Sequence, residues 1–230
     1  MRRRRTQAED PREQPAYTLT EAAQYLDVPS PTIRYWAAGR NNWEPLIEAP
    51  ARRPTLLSFL NVAELHVLAA IRRQHGVSMP KVRAAIHYLA KHTRRAWDRR
   101  HPLISARLET DGLDLFMDQY GRLVSISQAG QTVMREVMTA ALQRIERDNR
   151  GVPARLFPFT RSRIDDAPVM VVIDPTVAGG RPVIAGTGVA TGILAERYKA
   201  GESVDGLARD YGLDEAKVEE AIRCELRTAA

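Results

Sequence analysis

Apolar residues recur at helical spacing in the first hundred positions. In "YTLTEAAQYLDVPSPTIRYWAAGR", Ala22, Ala23 and Leu26 give one short helix a small apolar face. Ile33 and Trp36 share a face of a second. Thr20 is placed to cap the first, with Glu21 against its positive end, and "DVPS" breaks it. Ser30 is placed to cap the second, Pro31 suits its first position, and Gly39 ends it. After a loop, "LLSFLNVAELHVLAAIRRQHG" carries Leu65, Leu68 and Ile71 on one stripe, Arg72 and Arg73 at its negative end and Gly76 as its stop. "VSMPKVRAAIHYLAKHTRR" follows, with Ser78 as cap and Val82, Ile86 and Leu89 as stripe.

From about His101 the period changes. "LISARLETDGLDLFMDQYGRLVSIS" alternates around Asp111-Gly112 and Tyr120-Gly121, which predicts short antiparallel strands with hairpin turns. An amphipathic helix, Gln131–Arg147, carries Met134, Val137, Met138, Ala141 and Ile145, and either forms a dimer seam or covers the hairpin. "GVPARLFPFTRSRIDDAP" reads as a connector with one strand. Further on, Ser203 caps a short helix to about Asp210, and Asp214 opens a last helix striped by Val218, Ile222 and Leu226. The predicted fold is mainly α with small β elements: an N-terminal winged helix-turn-helix, a central β-hairpin plus helix, and a C-terminal three-helix domain resembling a helix-turn-helix. The expected divisions are 1–15 as a disordered basic arm, 16–100 as the first domain, 101–168 as hairpin, helix and connector, and 169–230 as the last.

Charge adds direction. Of 230 residues 44% are hydrophobic, which suffices for a core, while a net charge of +6 and a pI near 9.8 favour a polyanionic partner. The lone cysteine, Cys224, forms no disulfide within the chain and supplies no cysteine-based zinc site, which suits a reducing cytoplasm. "MRRRRTQAEDPREQP" lacks the apolar stretch of a signal peptide, and no apolar run is long enough to span a bilayer.

Two features invite an enzymatic reading and fail it. "IDPTVAGGRPVIAGTGV" is rich in glycine but has no lysine for a P-loop, and where a dinucleotide fingerprint needs its third glycine it has Thr191. Its glycines read better as structure: a tight turn at Gly179-Gly180, a return strand from Pro182 to Ile184, and close backbone approach at Gly186. The five histidines show no metal spacing and read as surface or groove residues. Cys224, beside Glu225, reads as an inert half-buried thiol, and Asp165-Asp166 as a solvated pair. No catalytic residue, metal or cofactor is expected.

DNA chemistry fares better. Arg34 and Tyr35 point away from the apolar face of the second helix, where an arginine can meet phosphate or guanine and a tyrosine can donate to phosphate. Arg40, Arg52 and Arg53 follow where a wing would lie. These residues lead to a resemblance. Tyr17 to Leu89 resembles the DNA-binding domain of MerR-type regulators, through a Thr-x-x-Glu first helix and a Thr-x-Arg-Tyr second helix. The resemblance implies that Thr32, Arg34 and Tyr35 lie on the DNA face. The long dimerising helix of many such regulators is missing from its expected place.

Ile173 to Leu226 is similar to a small bacterial family regarded as antitoxins, with the pattern Asp-Pro-x-Val-x-Gly-Gly-x-Pro-Val-Ile-x-Gly-Thr followed by a Gly-Glu-Ser helix start. Where that family commonly has an arginine after Gly186-Thr187, this chain has Gly188. The resemblance implies a cytoplasmic, VapB-type antitoxin, a homodimer or a hetero-oligomer with its toxin, that neutralises a PIN-like ribonuclease and binds operator DNA. A cation placed among the toxin's metal-binding carboxylates would inhibit it, and Arg181, Arg223 and Arg227 are the candidates. The alternatives are a stand-alone MerR-like regulator whose C-terminal domain senses a ligand or dimerises, and an RNA-processing enzyme.

Overall fold

The first helix, α1 (Leu19–Leu26), follows a short strand, β1 (Tyr17–Thr18), and begins two residues before the position expected from Thr20. Its cap is Thr18, because a capping box needs an acid three residues on. Glu21 N–H donates to Thr18 Oγ1 at 3.1 Å, and Thr18 N–H donates to Glu21 Oε2 at 2.9 Å. Asp27 ends the helix in the left-handed region, φ 54°. The second helix, α2 (Ser30–Ala38), has Pro29 rather than Ser30 at its cap, with no side-chain cap bond, and stops at Gly39 as expected. A computed structural model describes residues 10–40, 44–73, 77–123, 128–161 and 163–226. His75, Gly76 and Arg227, together with residues 1–9 of the expected arm, lie outside them.

The wing is an antiparallel hairpin of β2 (Ala51–Arg52) and β3 (Thr55–Leu57), with β3 between β2 and β1. Tyr17 stands opposite Leu57, and Arg52 opposite Thr55. Next comes α3 (Phe59–Arg72), started by a Ser58–Asn61 capping box and buried on every side from Phe59 to Ile71. Such a helix forms the centre of a core and must pair its polar groups. Two histidines expected at the surface are therefore inside. His66 stacks on Phe159 with ring centroids 4.8 Å apart. His101 Nδ1 meets Glu64 Oε2 at 3.1 Å, while burial pushes the Glu64 carboxyl above the usual range against the pull of His101.

α4 (Met79–Lys91) buries Val82, Ile86 and Leu89, as its stripe predicts; Ser78 caps it by position only, without a side-chain bond. A short α5 (Ala96–Arg100) and a single turn at Ala106–Glu109 follow. The predicted hairpins around Asp111-Gly112 and Tyr120-Gly121 do not form. The stretch is a helix, α6 (Gly112–Leu123), with Leu113, Phe116, Met117 and Tyr120 buried. Those four positions also fit a helical repeat, and helix wins because they bury together against α4. Gly112 serves close approach to the preceding turn: a Cβ there would lie 2.9 Å from the Arg107 carbonyl oxygen.

The amphipathic helix, α7 (Gln128–Leu142), ends before Arg144 and packs on α3 and α6. Ile145 leaves it for β4 (Ile145–Arg147), which pairs with β5 (Pro153–Leu156), the strand expected in the connector. Residues 10–15 are not a free arm. Arg12 bonds Asp10 and also reaches Asp148 at 2.7 Å, and the Arg12 carbonyl accepts from Leu60 N–H, so paired charge fixes the segment.

In the C-terminal part, β6 (Val171–Val172) pairs with β7 (Val183–Ile184). Three helices follow: α8 (Thr191–Lys199), α9 (Val204–Tyr211), capped by Ser203, and α10 (Glu215–Leu226). Ile184, Leu194, Leu207, Val218, Ala221 and Ile222 form a second apolar cluster, separate from the main core that runs from Tyr17 to Ile173. Leu226 is exposed rather than part of the stripe, and Cys224 is fully buried rather than half-buried.

Candidate nucleic-acid interface

The helix-turn-helix is held from behind. Ile33 and Trp36 of α2 are completely buried, and the Trp36 carbonyl accepts from the backbone N–H groups of Leu46 and Ile47 at 2.7 and 3.3 Å. The loop that leads to the wing is thereby tied to α2. With that face committed, Arg34 is left exposed and Thr32 half-exposed. Tyr35 is half-buried, with the Arg83 guanidinium 5.6 Å above its ring. Stacking on Arg83 makes Tyr35 as much a link between α2 and α4 as a donor towards solvent.

Arg40 lies just past Gly39, while Arg52 and Arg53 sit at the wing turn; all three are exposed. Among the described residues, none of Arg34, Arg40, Arg52 and Arg53 has a carboxylate partner. The C-terminal part differs: Arg181, Arg197, Lys199, Arg209, Lys217 and Arg223 each have an acidic partner within 4 Å. The charge balance follows the same division. Residues 30–100 hold thirteen Lys and Arg against four Asp and Glu, whereas 169–230 hold seven against ten. Excess positive charge, and so the affinity for a polyanion, resides in the N-terminal half.

The toxin-facing candidates are placed differently from one another. Arg181 joins the two ends of the chain: its Nη1 lies 3.0 Å from Glu21 Oε1, on the first helix of the helix-turn-helix. Burial opposes ionisation of Glu21, but the Thr18 N–H and hydroxyl and the Arg181 guanidinium hold its carboxyl below the usual range. Arg223 is half-exposed beside the buried Glu220, which also binds Arg161 at 3.0 Å.

The glycine-rich stretch has a role that its local pattern does not reveal. Tyr17 Oη donates to the Gly180 carbonyl at 2.9 Å. A Cβ on Gly180 would lie 2.3 Å from that hydroxyl, and its φ of 80° also excludes most side chains. Gly179, φ 64°, completes the tight turn as expected. Gly186 is needed for its φ of 79°, not for close approach, since nothing lies near its Cβ position. Gln24 of α1 extends the junction by donating to the Glu225 carbonyl at 3.0 Å and its carboxylate at 2.7 Å. Tyr17, Gln24, Gly180 and Glu225 carried no sequence signal for this, because the partners stand 163 and 201 positions apart.

No group of three or more His, Cys, Asp or Glu side chains among the described residues could hold a metal, and no described helix is long and apolar enough to cross a membrane.

Comparison with known proteins agrees with this layout. Residues 15–86 match a family described as "Putative DNA-binding HTH domain", and residues 171–223 match one described as "Protein of unknown function (DUF433)". The chain is similar to the Mycobacterium tuberculosis protein named "Putative antitoxin VapB45", 31% identical over 234 residues, 90% of this chain and 92% of that protein. "Uncharacterized protein Rv2308" of the same organism is 25% identical over 90% of this chain and 88% of its own length. The crystal structure of RV2018 from Mycobacterium tuberculosis superposes with a TM-score of 0.68 at 28% identity, covering 91% of this chain and 98% of that one.

Proposed function

We infer the function from one premise: the chain belongs to the family of the mycobacterial protein named "Putative antitoxin VapB45". It acts as an antitoxin that also binds DNA. The N-terminal domain, 16–100, binds operator DNA and regulates its own operon. The C-terminal domain, 169–230, binds and neutralises a PIN-like ribonuclease toxin, and 101–168 joins them. The observation that carries this reading is the extent of the match, which takes in both ends of the chain rather than the helix-turn-helix alone. It also disfavours a stand-alone regulator with an unrelated sensor domain. The chain is a regulator, not a catalyst.

On DNA, Arg34 and Thr32 face the duplex from α2, with Arg40, Arg52 and Arg53 along the adjoining backbone. Two copies about a two-fold axis would read half-sites roughly 34 Å apart. On the toxin, Arg223 and Arg227 supply the cation: Arg181 is committed to the junction with α1 through Glu21, whereas Arg223 meets its neighbour Glu220 within α10.

The DNA reading has a direct test. Binding of Arg34→Ala to the duplex upstream of its own reading frame is measured over 50–200 mM salt. A phosphate contact predicts weaker binding to every sequence and a log affinity–log salt slope smaller by about 0.9. A loss restricted to one base position would mean that Arg34 reads a base. Unchanged affinity and slope would remove it from the interface.

A further inference from the structure

We propose that the DNA footprint extends past the helix-turn-helix and wing onto the segment 91–100, where Arg94, Arg95 and Arg99 neutralise backbone phosphates of the flanking duplex. This rests on the reading of the N-terminal domain as DNA-binding and adds a surface to it. The segment reads "KHTRRAWDRR", with five cations to one acid. Lys91, Arg94, Arg95, Arg99 and Arg100 are all exposed. Arg100 is partly compensated by Glu13 at 3.3 Å, but Arg94, Arg95 and Arg99 have no carboxylate partner among the described residues. They share that property with Arg34, Arg40, Arg52 and Arg53, whereas every described cation of the C-terminal domain is paired.

The segment is also pre-organised. Trp97 packs on the main core and lies 5.1 Å from the buried His101 ring. Arg107 Nη1 donates to the His92 carbonyl at 2.7 Å. Charges on a fixed platform bind at a lower entropic cost than the same charges on a mobile tail. The platform is continuous with the wing: one cavity of about 410 Å³ is lined by Arg52 from β2 and by Arg99 and Arg100 from α5, with Glu44 and Glu48 also on its wall. A polyanion lying along the wing therefore meets α5 next.

Duplex is favoured over single-stranded RNA by what the segment lacks. Single strands are gripped by exposed aromatic rings on which bases stack. Here Trp97 is packed inward, and the Tyr88 and His92 rings lie against each other, centroids 3.9 Å apart and tilted by 35°.

The test uses the full chain and a 30-base-pair mixed-sequence DNA duplex, with affinity measured from 50 to 200 mM salt. Three contacts at about 0.9 each predict that Arg94→Ala/Arg95→Ala/Arg99→Ala lowers the salt slope by about 2.7 with an unchanged melting temperature. Arg150→Ala, which removes another exposed and unpaired cation, controls for net charge and leaves the slope unchanged. A wild-type slope in the triple variant overturns the proposal; if Arg34→Ala still lowers the slope, the helix-turn-helix reading stands without it. An Arg150→Ala effect as large per charge would reduce the patch to bulk charge and likewise overturn it. Loss of affinity for a single-stranded RNA of equal length, with duplex binding intact, would assign the surface to RNA instead. A wild-type chain with no salt-dependent duplex binding would end both readings.

Discussion

Burial decides most at the level of single residues. His66 lies inside α3, against Phe159 and near two arginines. Burial first, then Arg73 and Arg144, push its imidazole down to about 3, with the Ala141 backbone acting the other way. An unfolded histidine titrates near ~6.5. Between those values the unfolded chain binds a proton that the folded chain refuses. The contribution to stability is thus complete above about pH 6.5 and declines as pH falls through that window towards 3. In melts from pH 7 to pH 4, the wild-type melting temperature is expected to drop more steeply than that of His66→Phe. Parallel curves would mean that His66 takes its proton in the folded state as readily as in the unfolded one. Gly180 supplies the second case. Gly180→Ala forces a methyl against a buried hydroxyl at a positive φ, and Tyr17→Phe leaves the Gly180 carbonyl without its donor. The phenylalanine variant is expected to lose about 1–3 kcal/mol in urea unfolding, and the alanine variant more. Full stability in both would show that the junction contributes nothing.

Among the elements, α2 carries the clearest consequence. Trp36 has no exposed surface and its carbonyl holds the loop to the wing, so the helix, its loop and the hairpin move as one unit. Trp36→Ala should cost about 3–5 kcal/mol in denaturant unfolding. A cost below about 1 kcal/mol would mean that α2 is held by something other than this ring. The helix-turn-helix and wing were legible because a Pro-containing break, Gly39 and the Ile33/Trp36 face all point the same way, although Thr18 and Pro29, not Thr20 and Ser30, stand at the caps. The C-terminal turn and its last two helices were legible for the same reason, through Gly179-Gly180, Ser203 and the Val218/Ile222 pair. Residues 106–123 read as strands from the turn-like pairs Asp111-Gly112 and Tyr120-Gly121 and the Leu113-Asp114-Leu115 alternation, while Leu113, Phe116, Met117 and Tyr120 fit a helical repeat. Choosing between those periods required knowledge of what packs against them, which is α4. His66 and His101, expected as surface or groove residues, are inside for a related reason: His66 sits in a helix buried on every side and His101 packs against that helix through Glu64, neither of which local sequence shows.

For the whole molecule, the organising fact is the uneven distribution of charge. The net charge of +6 favours a polyanionic partner but does not say which part of the chain meets it. Among the described residues, cations without a carboxylate partner cluster on α2, the wing and segment 91–100, while residues 169–230 carry more acids than bases and each described cation there has an acidic partner. No local pattern could show this, since Arg181 finds its acid on α1, 160 positions away. The proposed division of roles follows this asymmetry: DNA at the cationic end, a protein partner at the end where acids outnumber bases. The two meet at α1, through Tyr17, Glu21 and Gln24.

The claim that the C-terminal domain silences a nuclease is tested by titration. The ribonuclease activity of the adjacent reading frame's product is followed as the full-length chain is added. Activity is expected to vanish at a fixed stoichiometry, equally with Arg34→Ala, while Arg223→Glu/Arg227→Glu requires a clear excess. Undiminished cleavage with the wild-type chain in excess, or cleavage by the chain alone, would contradict the account.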